Sequence, residues 1–290
     1  MTEKFLCAHS HINRVKYKYA TDSRAHFAQS DEILRINVGM LKSMVTISLA
    51  QVPVIKGNLV ENLANHLEMI ELSSNLRANV VVFPELSLTG YELELAQQLA
   101  FSQSRDSFVE LSCAAIEHNI IIVVGCPLVA KKNAKPTIGS VICFPDGNVE
   151  FYSKQYLHDS EGEYCSSGSV DYLFNINGYR IGLAVCADFS SPQHSSHAAN
   201  GGADIYIVSA LISESGYQCD AEILANIATM YRFPVLLSNH ISQTGGWQAC
   251  GNNTVWDANG QIVFNSDSKD PCLVLTTLLG NEVSAVKVSI

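Results

Sequence analysis

Uninterrupted apolar runs are the feature that most constrains the fold of this 290-residue chain. Segments such as VVVF (80–83), IIIVVG (120–125) and LAVCA (183–187) carry no alternating polar positions. Strands of this kind are buried on both faces, because a solvated face would place a polar residue at every second position. Two packed mixed sheets with helices outside satisfy this requirement, so the pattern predicts an α/β fold with about a dozen strands.

Helical segments and hairpins alternate with these runs. Asn58 can cap a helix over 58–76, and Glu61 follows three residues later, as in a capping box. Asp-Gly and Asn-Gly dipeptides between apolar runs are typical of hairpin turns. The pattern therefore predicts further helices over 107–119, 193–202 and 221–232, hairpins over 137–154 and 253–264, and a final strand over 272–278.

Charge and composition exclude several classes of protein. The net charge of −10 gives no basic footprint for nucleic acid. No apolar run reaches the roughly 18 residues that span a membrane, so we expect a soluble, cytoplasmic protein without membrane partners. Residues 1–44 lack a clear period and are predicted to be an N-terminal extension, with the main domain over 45–290. Nine cysteines without a C-x-x-C pair indicate reduced thiols.

Two groups of residues have spacings that metal ligands can show. Cys7, His9 and His11 lie close together, and His194 and His197 are one helical turn apart. Neither group has a second ligand pair nearby. We therefore interpret these histidines as surface or capping residues and expect no metal.

Three chemically active side chains come directly after predicted strands. Taken singly, Glu85 would be a turn cap, Lys154 a solvated lysine and Cys186 a small core residue. Together they suggest a reactive set, because α/β proteins place such groups at the carboxyl ends of core strands. A carboxylate can take the thiol proton. An ammonium and the backbone N–H after the cysteine can face a tetrahedral oxyanion.

The motifs FPELSLTGY, SKQYL…E…G and LAVCADF…P resemble those of the nitrilase superfamily of carbon–nitrogen hydrolases. The resemblance covers roughly residues 45–280 and implies a four-layer αββα sandwich. It also implies that Cys186 is the nucleophile, Glu85 the general base and Lys154 the oxyanion stabiliser. The family's second pocket glutamate falls on Glu161, with Glu163 as the alternative.

The resemblance suggests further residues around the substrate. Ala187 would offer its N–H to the oxyanion, and Asp188 completes a Cys-x-Asp motif that is similar to the amidase branches. Tyr91, Tyr164 and the segment 211–220 are expected near the cavity entrance because they follow the motif strands. These residues make up the predicted substrate-binding set.

Other implications concern assembly and departures from the family pattern. The resemblance implies no cofactor or metal, and it implies homodimers or higher oligomers through helices near 192–201 and 220–232. Ile227 and Met230 stand where the family has arginine and glutamate, and Asn253 stands where serine is usual. The departures in the helix leave the substrate class and the oligomer geometry open.

The predicted activity is thiol-dependent hydrolysis of a small amide or N-carbamoyl compound through a thioester, releasing ammonia or an amine. The alternatives are nitrile hydrolysis, a soluble acyltransferase and a catalytically silent binding relative. The Cys186-Ala187-Asp188 sequence favours amides over nitriles.

Overall fold

The computed structural model describes residues 42–130 and 134–290. The predicted N-terminal extension and the group formed by Cys7, His9 and His11 therefore lie outside the described residues, apart from residues 42–44, which lead into the first strand. That strand begins at Val45, where the alternating β-branched pattern begins.

Seven strands form the first sheet, in the order β15-β14-β1-β2-β3-β4-β5. The strands β1, β2 and β3 are parallel, and the remaining pairs are antiparallel. Its central strands are buried along their whole length, as their apolar runs require. The strands are β1 Val45–Gln51, β2 Val80–Val82, β3 Ile121–Leu128, β4 Thr137–Cys143, β5 Val149–Ser153, β14 Cys272–Leu279 and β15 Glu282–Ser289.

Six strands form the second sheet, in the order β13-β12-β9-β8-β7-β6, with β7, β8 and β9 parallel. A separate two-stranded ribbon of β10 and β11 turns at Gly245 and Gly246. The strands are β6 Leu173–Ile176, β7 Tyr179–Val185, β8 Ile205–Ala210, β9 Val235–Asn239, β10 Gln243–Thr244, β11 Trp247–Gln248, β12 Thr254–Trp256 and β13 Ile262–Asn265.

The helices cover the outer faces of the two sheets. They are α1 Leu59–Asn75, α2 Ala96–Leu99, α3 Val109–His118, α4 Pro192–Asn200 and α5 Tyr217–Tyr231. One apolar core lies between the sheets, a second joins α1 and α3 to the first sheet, and a third joins α4 and α5 to the second sheet. The predicted αββα sandwich of two mixed sheets is confirmed.

Local signals explain most of these elements. The Asn58 side chain accepts a hydrogen bond from Glu61 N at 3.2 Å, as the capping box predicted. Both predicted hairpins form, as β4–β5 and β12–β13. The strand predicted over 272–278 forms as β14, but it is not the final strand of the chain as predicted. A further strand, β15, follows it over Glu282–Ser289. This edge strand buries few side chains, so its apolar signal is weak.

The departures from the family pattern lie in the second sheet and its helix α5. Ile227 is buried in the outer core, and Met230 is 69% exposed. Asn253 is buried and accepts a hydrogen bond from Asn239 N at 2.8 Å. It also donates to Leu49 O at 3.2 Å, which ties the second sheet to the first.

Candidate active site

Glu85 lies in a turn directly after β2. Pro84 cannot donate a ladder hydrogen bond, so the strand ends and the chain turns. The turn packs against Gly125 of β3, where a side chain would collide with the backbone of Pro84, Glu85 and Leu86. The absence of a Cβ at Gly125 therefore lets the Glu85 backbone lie directly on the sheet.

Lys154 follows β5 and is held by the backbone on both sides. Its N–H donates to Ile138 O at 2.8 Å, and its carbonyl accepts from Gly168 N at 2.7 Å. The ammonium Nζ lies 2.7 Å from Glu85 Oε1 and 2.7 Å from Glu161 Oε1. All three side chains are fully buried, so one ammonium is shared by two carboxylates in an apolar surrounding.

Glu161 is the glutamate that the structure brings to Lys154. It begins a 3-10 turn over Glu161–Glu163, and its Oε2 accepts from His158 N at 2.7 Å. Its Oε1 also accepts a hydrogen bond from the Tyr91 hydroxyl. Glu163 is exposed in the same turn, so Glu161 is the one of the two candidates that the structure brings to Lys154.

Cys186 directly follows β7 and begins a 3-10 turn over Cys186–Asp188. Its φ of 43° is in the left-handed region, which non-glycine residues rarely adopt and which is common at functional positions. Its Sγ donates weakly to Leu211 O at 3.8 Å, and it lies close enough to Glu85 for each group to influence the pKa of the other. The turn therefore brings the thiol to the buried Glu85–Lys154–Glu161 cluster.

The electrostatics of the cluster keep the Cys186 thiol protonated beside Glu85. Burial raises the pKa of Glu85 to about 7, and Lys154 only partly offsets this effect. Burial and the Glu85 carboxylate raise the pKa of Cys186 well above its ordinary value. Burial opposes the charge on Lys154, but the facing carboxylates outweigh it and raise its pKa. At neutral pH the thiol is therefore protonated beside an ionisable base.

One carboxylate oxygen is available for that base role. Glu85 Oε1 accepts from Lys154, whereas the buried Oε2 has no hydrogen-bond partner among the described residues. Buried carboxylate oxygens are ordinarily satisfied, and exceptions are common at catalytic positions. The free oxygen can accept the proton of a neighbouring donor such as the Cys186 thiol.

A histidine that the sequence did not single out supports the Glu85 turn. His240 is fully buried after β9, and its Nε2 donates to the Glu85 carbonyl. Burial lowers the pKa of His240 to about 4, so the ring is neutral. In the sequence, the only indication of this contact is the position of His240 directly after the apolar strand segment that ends in Ser238-Asn239.

Cys186 opens onto a cavity of about 230 Å³. Leu211, Ile212 and Ser213 line it, as expected for the segment 211–220. Trp247, on the unpredicted β10–β11 ribbon, also lines it, and the Gly245-Gly246 dipeptide was a turn signal that could have located the ribbon. Other lining residues are Tyr91, His158, Ala187 and Asp220.

Two predicted substrate-binding residues are placed elsewhere. Tyr164 is 37% exposed and is not among the described residues that line the cavity. Asp188 is fully buried and also lies outside the cavity wall. Its carboxylate is occupied by the protein itself, which corrects the expectation that it contacts substrate.

The Asp188 carboxylate joins the two strand ends that carry Cys186 and Lys154. Its Oδ2 accepts from the N–H of Val185, the residue before Cys186, at 2.9 Å. Its Oδ1 accepts from Gln155 N and Tyr156 N, both at 2.9 Å. Asp188 therefore holds the β7 turn against the loop after β5.

His194 and His197 are not arranged as metal ligands. His194 is buried and is hydrogen-bonded to the hydroxyls of Tyr152 at 2.9 Å and Tyr206 at 2.7 Å. Within 42–130 and 134–290, no group of three or more His, Cys, Asp or Glu side chains could hold a metal ion. The helices of the same ranges include none long and apolar enough to cross a membrane.

The carbon-nitrogen hydrolase family profile matches residues 46–285, which is most of the chain. The chain belongs to the carbon–nitrogen hydrolase family. This confirms the resemblance to the nitrilase superfamily that the three motifs suggested.

Relatives of this carbon–nitrogen hydrolase include amidases and a nitrilase-like protein. It is 31% identical to 2-oxoglutaramate amidase of Bacillus subtilis over 168 residues, covering 57% of this chain and 64% of the relative. It is 24% identical to a probable nitrilase of Schizosaccharomyces pombe over 212 residues, covering 71% and 78%. The chain thus covers slightly less than two thirds of the Bacillus amidase.

A solved structure shares the fold of this carbon–nitrogen hydrolase. It is a mutant of the amidase from Nesterenkonia sp. AN1 showing Michael addition of acrylamide at the active site cysteine. The two chains share 20% sequence identity with a TM-score of 0.72, and the match covers 81% of this chain and 92% of that one.

Proposed function

We propose that the protein hydrolyses the C–N bond of a small amide through a thioester on Cys186. The observation that carries the proposal is the buried Glu85–Lys154–Glu161 cluster, which acts electrostatically on a thiol that lines an open cavity. Burying two carboxylates and an ammonium is costly in free energy. Buried charged groups of this kind beside a cavity are typical of catalytic sites.

The first step is attack on the amide carbonyl. Glu85 Oε2 takes the thiol proton as Cys186 Sγ bonds to the carbonyl carbon, which gives a tetrahedral oxyanion. Lys154 Nζ and the Ala187 N–H stabilise that negative charge, and one such donor contributes about 10²–10³ in rate. Because the thiol is neutral beforehand, proton transfer accompanies attack and no free thiolate accumulates.

The second and third steps use the same carboxyl group twice. Protonated Glu85 gives its proton to the leaving nitrogen, the C–N bond breaks, and ammonia or an amine departs from the thioester. Glu85 then takes a proton from water, which attacks the thioester. The acid product leaves, and the sulfur regains a proton from Glu85. Glu161 holds the ammonium of Lys154 in place during both halves.

The amide class is favoured by two observations. The nucleophile turn reads Cys186-Ala187-Asp188, and the relatives include proteins named as amidases. Nitriles are the second substrate class to compare, because the relatives also include a probable nitrilase.

The test is ammonia release from small amides, N-carbamoyl amines and nitriles of matched chain length. We expect amide hydrolysis that Cys186→Ala abolishes. Cys113→Ala, which removes an exposed thiol on α3, serves as the matched control and should retain full activity. Release of ammonia that survives in Cys186→Ala, or release from nitriles alone, contradicts the proposal.

A further inference from the structure

Asp220 is the charged side chain that the cavity offers to a substrate. It lies in the first turn of α5 and lines the same cavity as Cys186. Among the described residues that line this cavity there is no lysine or arginine. The charge of Lys154 is already compensated by its ion pairs with Glu85 and Glu161.

The Asp220 carboxylate lacks a partner in the described part of the chain. No salt bridge and no side-chain hydrogen bond reach it there, whereas Glu222 on the same helix accepts from Gln218 Nε2 at 2.8 Å. Partial burial raises the pKa of Asp220, as expected for a carboxylate that has lost some of its water without gaining a counter-charge.

An aromatic side chain also lines the cavity. Trp247 lines the cavity and is 45% exposed, so part of its ring remains available for contact. A carboxylate together with an indole ring favours cations, because the ring face attracts positive charge and the carboxylate pairs with it. The same surroundings repel a carboxylate, since no described lining residue carries a fixed positive charge.

We propose that the preferred substrates are amides that carry an amino or guanidinium group at the end distant from the scissile bond. In this arrangement the carbonyl carbon meets Cys186 and the cationic end pairs with Asp220. This inference rests on the proposed amide hydrolysis and adds the charge class of the substrate to it.

Three five-carbon amides test the inference: 5-aminopentanamide, neutral pentanamide and anionic glutaramate. We expect kcat/KM to be highest for the cationic amide, by about tenfold over the neutral one, the size expected for one charge-assisted contact. Asp220→Asn should bring the cation-to-neutral ratio close to one. Glu222→Gln removes an acid from the solvent side of α5 and should leave the ratio unchanged.

Binding separates failure of this inference from failure of the proposed hydrolysis. Calorimetry with Cys186→Ala measures the affinity for the same three amides without turnover, and the cationic amide should bind about tenfold more tightly than pentanamide. Loss of that preference in Cys186→Ala/Asp220→Asn supports the role of Asp220. Preference for glutaramate, or a ratio that Asp220→Asn does not change, overturns the inference. Cationic preference in binding without any hydrolysis overturns only the proposed function.

Discussion

The pH dependence of amide hydrolysis is the most direct test of the buried cluster. Burial holds the pKa of Glu85 at about 7, and the base must be ionised to accept the thiol proton. We therefore expect kcat/KM to rise with pH and to level off above pH 7. It should be about tenfold lower at pH 6 and about 100-fold lower at pH 5, because each unit below the pKa removes nine tenths of the ionised base.

The position of this acid limb depends on the neighbours of Glu85. The negative charge of Glu161 raises the pKa of Glu85. Glu161→Gln removes that repulsion, so the limb should move to lower pH even though the rate falls at every pH. Glu163→Gln removes an exposed acid from the same turn and should leave the limb at about pH 7.

The assay is ammonia release from a neutral amide at constant ionic strength between pH 5 and pH 9, with circular dichroism at each pH to confirm folding. The pKa values of Cys186 and Lys154 both lie above their ordinary values, so no alkaline limb is expected below pH 9. A flat profile between pH 5 and pH 8, or a limb that Glu161→Gln moves to higher pH, refutes the assignment of Glu85 as the base.

Three further substitutions have defined outcomes. Lys154→Met leaves two buried carboxylates unpaired and should lower the free energy of unfolding by about 3–5 kcal/mol in urea at pH 8. The loss should shrink at pH 5, because the buried Glu85 carboxyl, whose pKa is raised, then binds a proton and no longer needs a counter-charge. An equal loss at both pH values contradicts this reasoning. Asp188→Asn should lower kcat by up to about 10²-fold with KM nearly unchanged, since it displaces the nucleophile turn, and a rise in KM alone would instead indicate substrate contact. Asn58→Ala should cost about 1 kcal/mol in chemical denaturation without altering kcat/KM, and a change in activity would show that the α1 cap affects the site.

The fold could be predicted largely from hydrophobic pattern. Continuous apolar runs gave the central strands, and turn dipeptides gave the β4–β5 and β12–β13 hairpins. The missed strands are β6, β15 and the β10–β11 ribbon, which are short or lie at sheet edges. Such strands are stabilised by backbone pairing to a neighbour, and their side chains alone carry little signal.

Only those site residues that directly follow a strand could be predicted from the sequence. Chain order placed Glu85, Lys154 and Cys186 after strands, and the structure brings them together. It could not tell whether Asp188 faces a substrate or backbone N–H groups, because both uses suit a carboxylate in a tight turn. Asp220 was included only as the end of a segment, since its lack of a partner is a property of the folded chain.

The reactive groups come from two different sheets. Glu85 and Lys154 extend from the first sheet and Cys186 from the second, so the inter-sheet core sets the gap between base and sulfur. A small slip of one layer past the other would open that gap while every ladder of backbone hydrogen bonds stayed intact. Gentle heating should therefore abolish amide hydrolysis before the circular dichroism spectrum changes. Substitutions that remove one methyl group from the core between the sheets should likewise change kcat, although they do not touch the substrate.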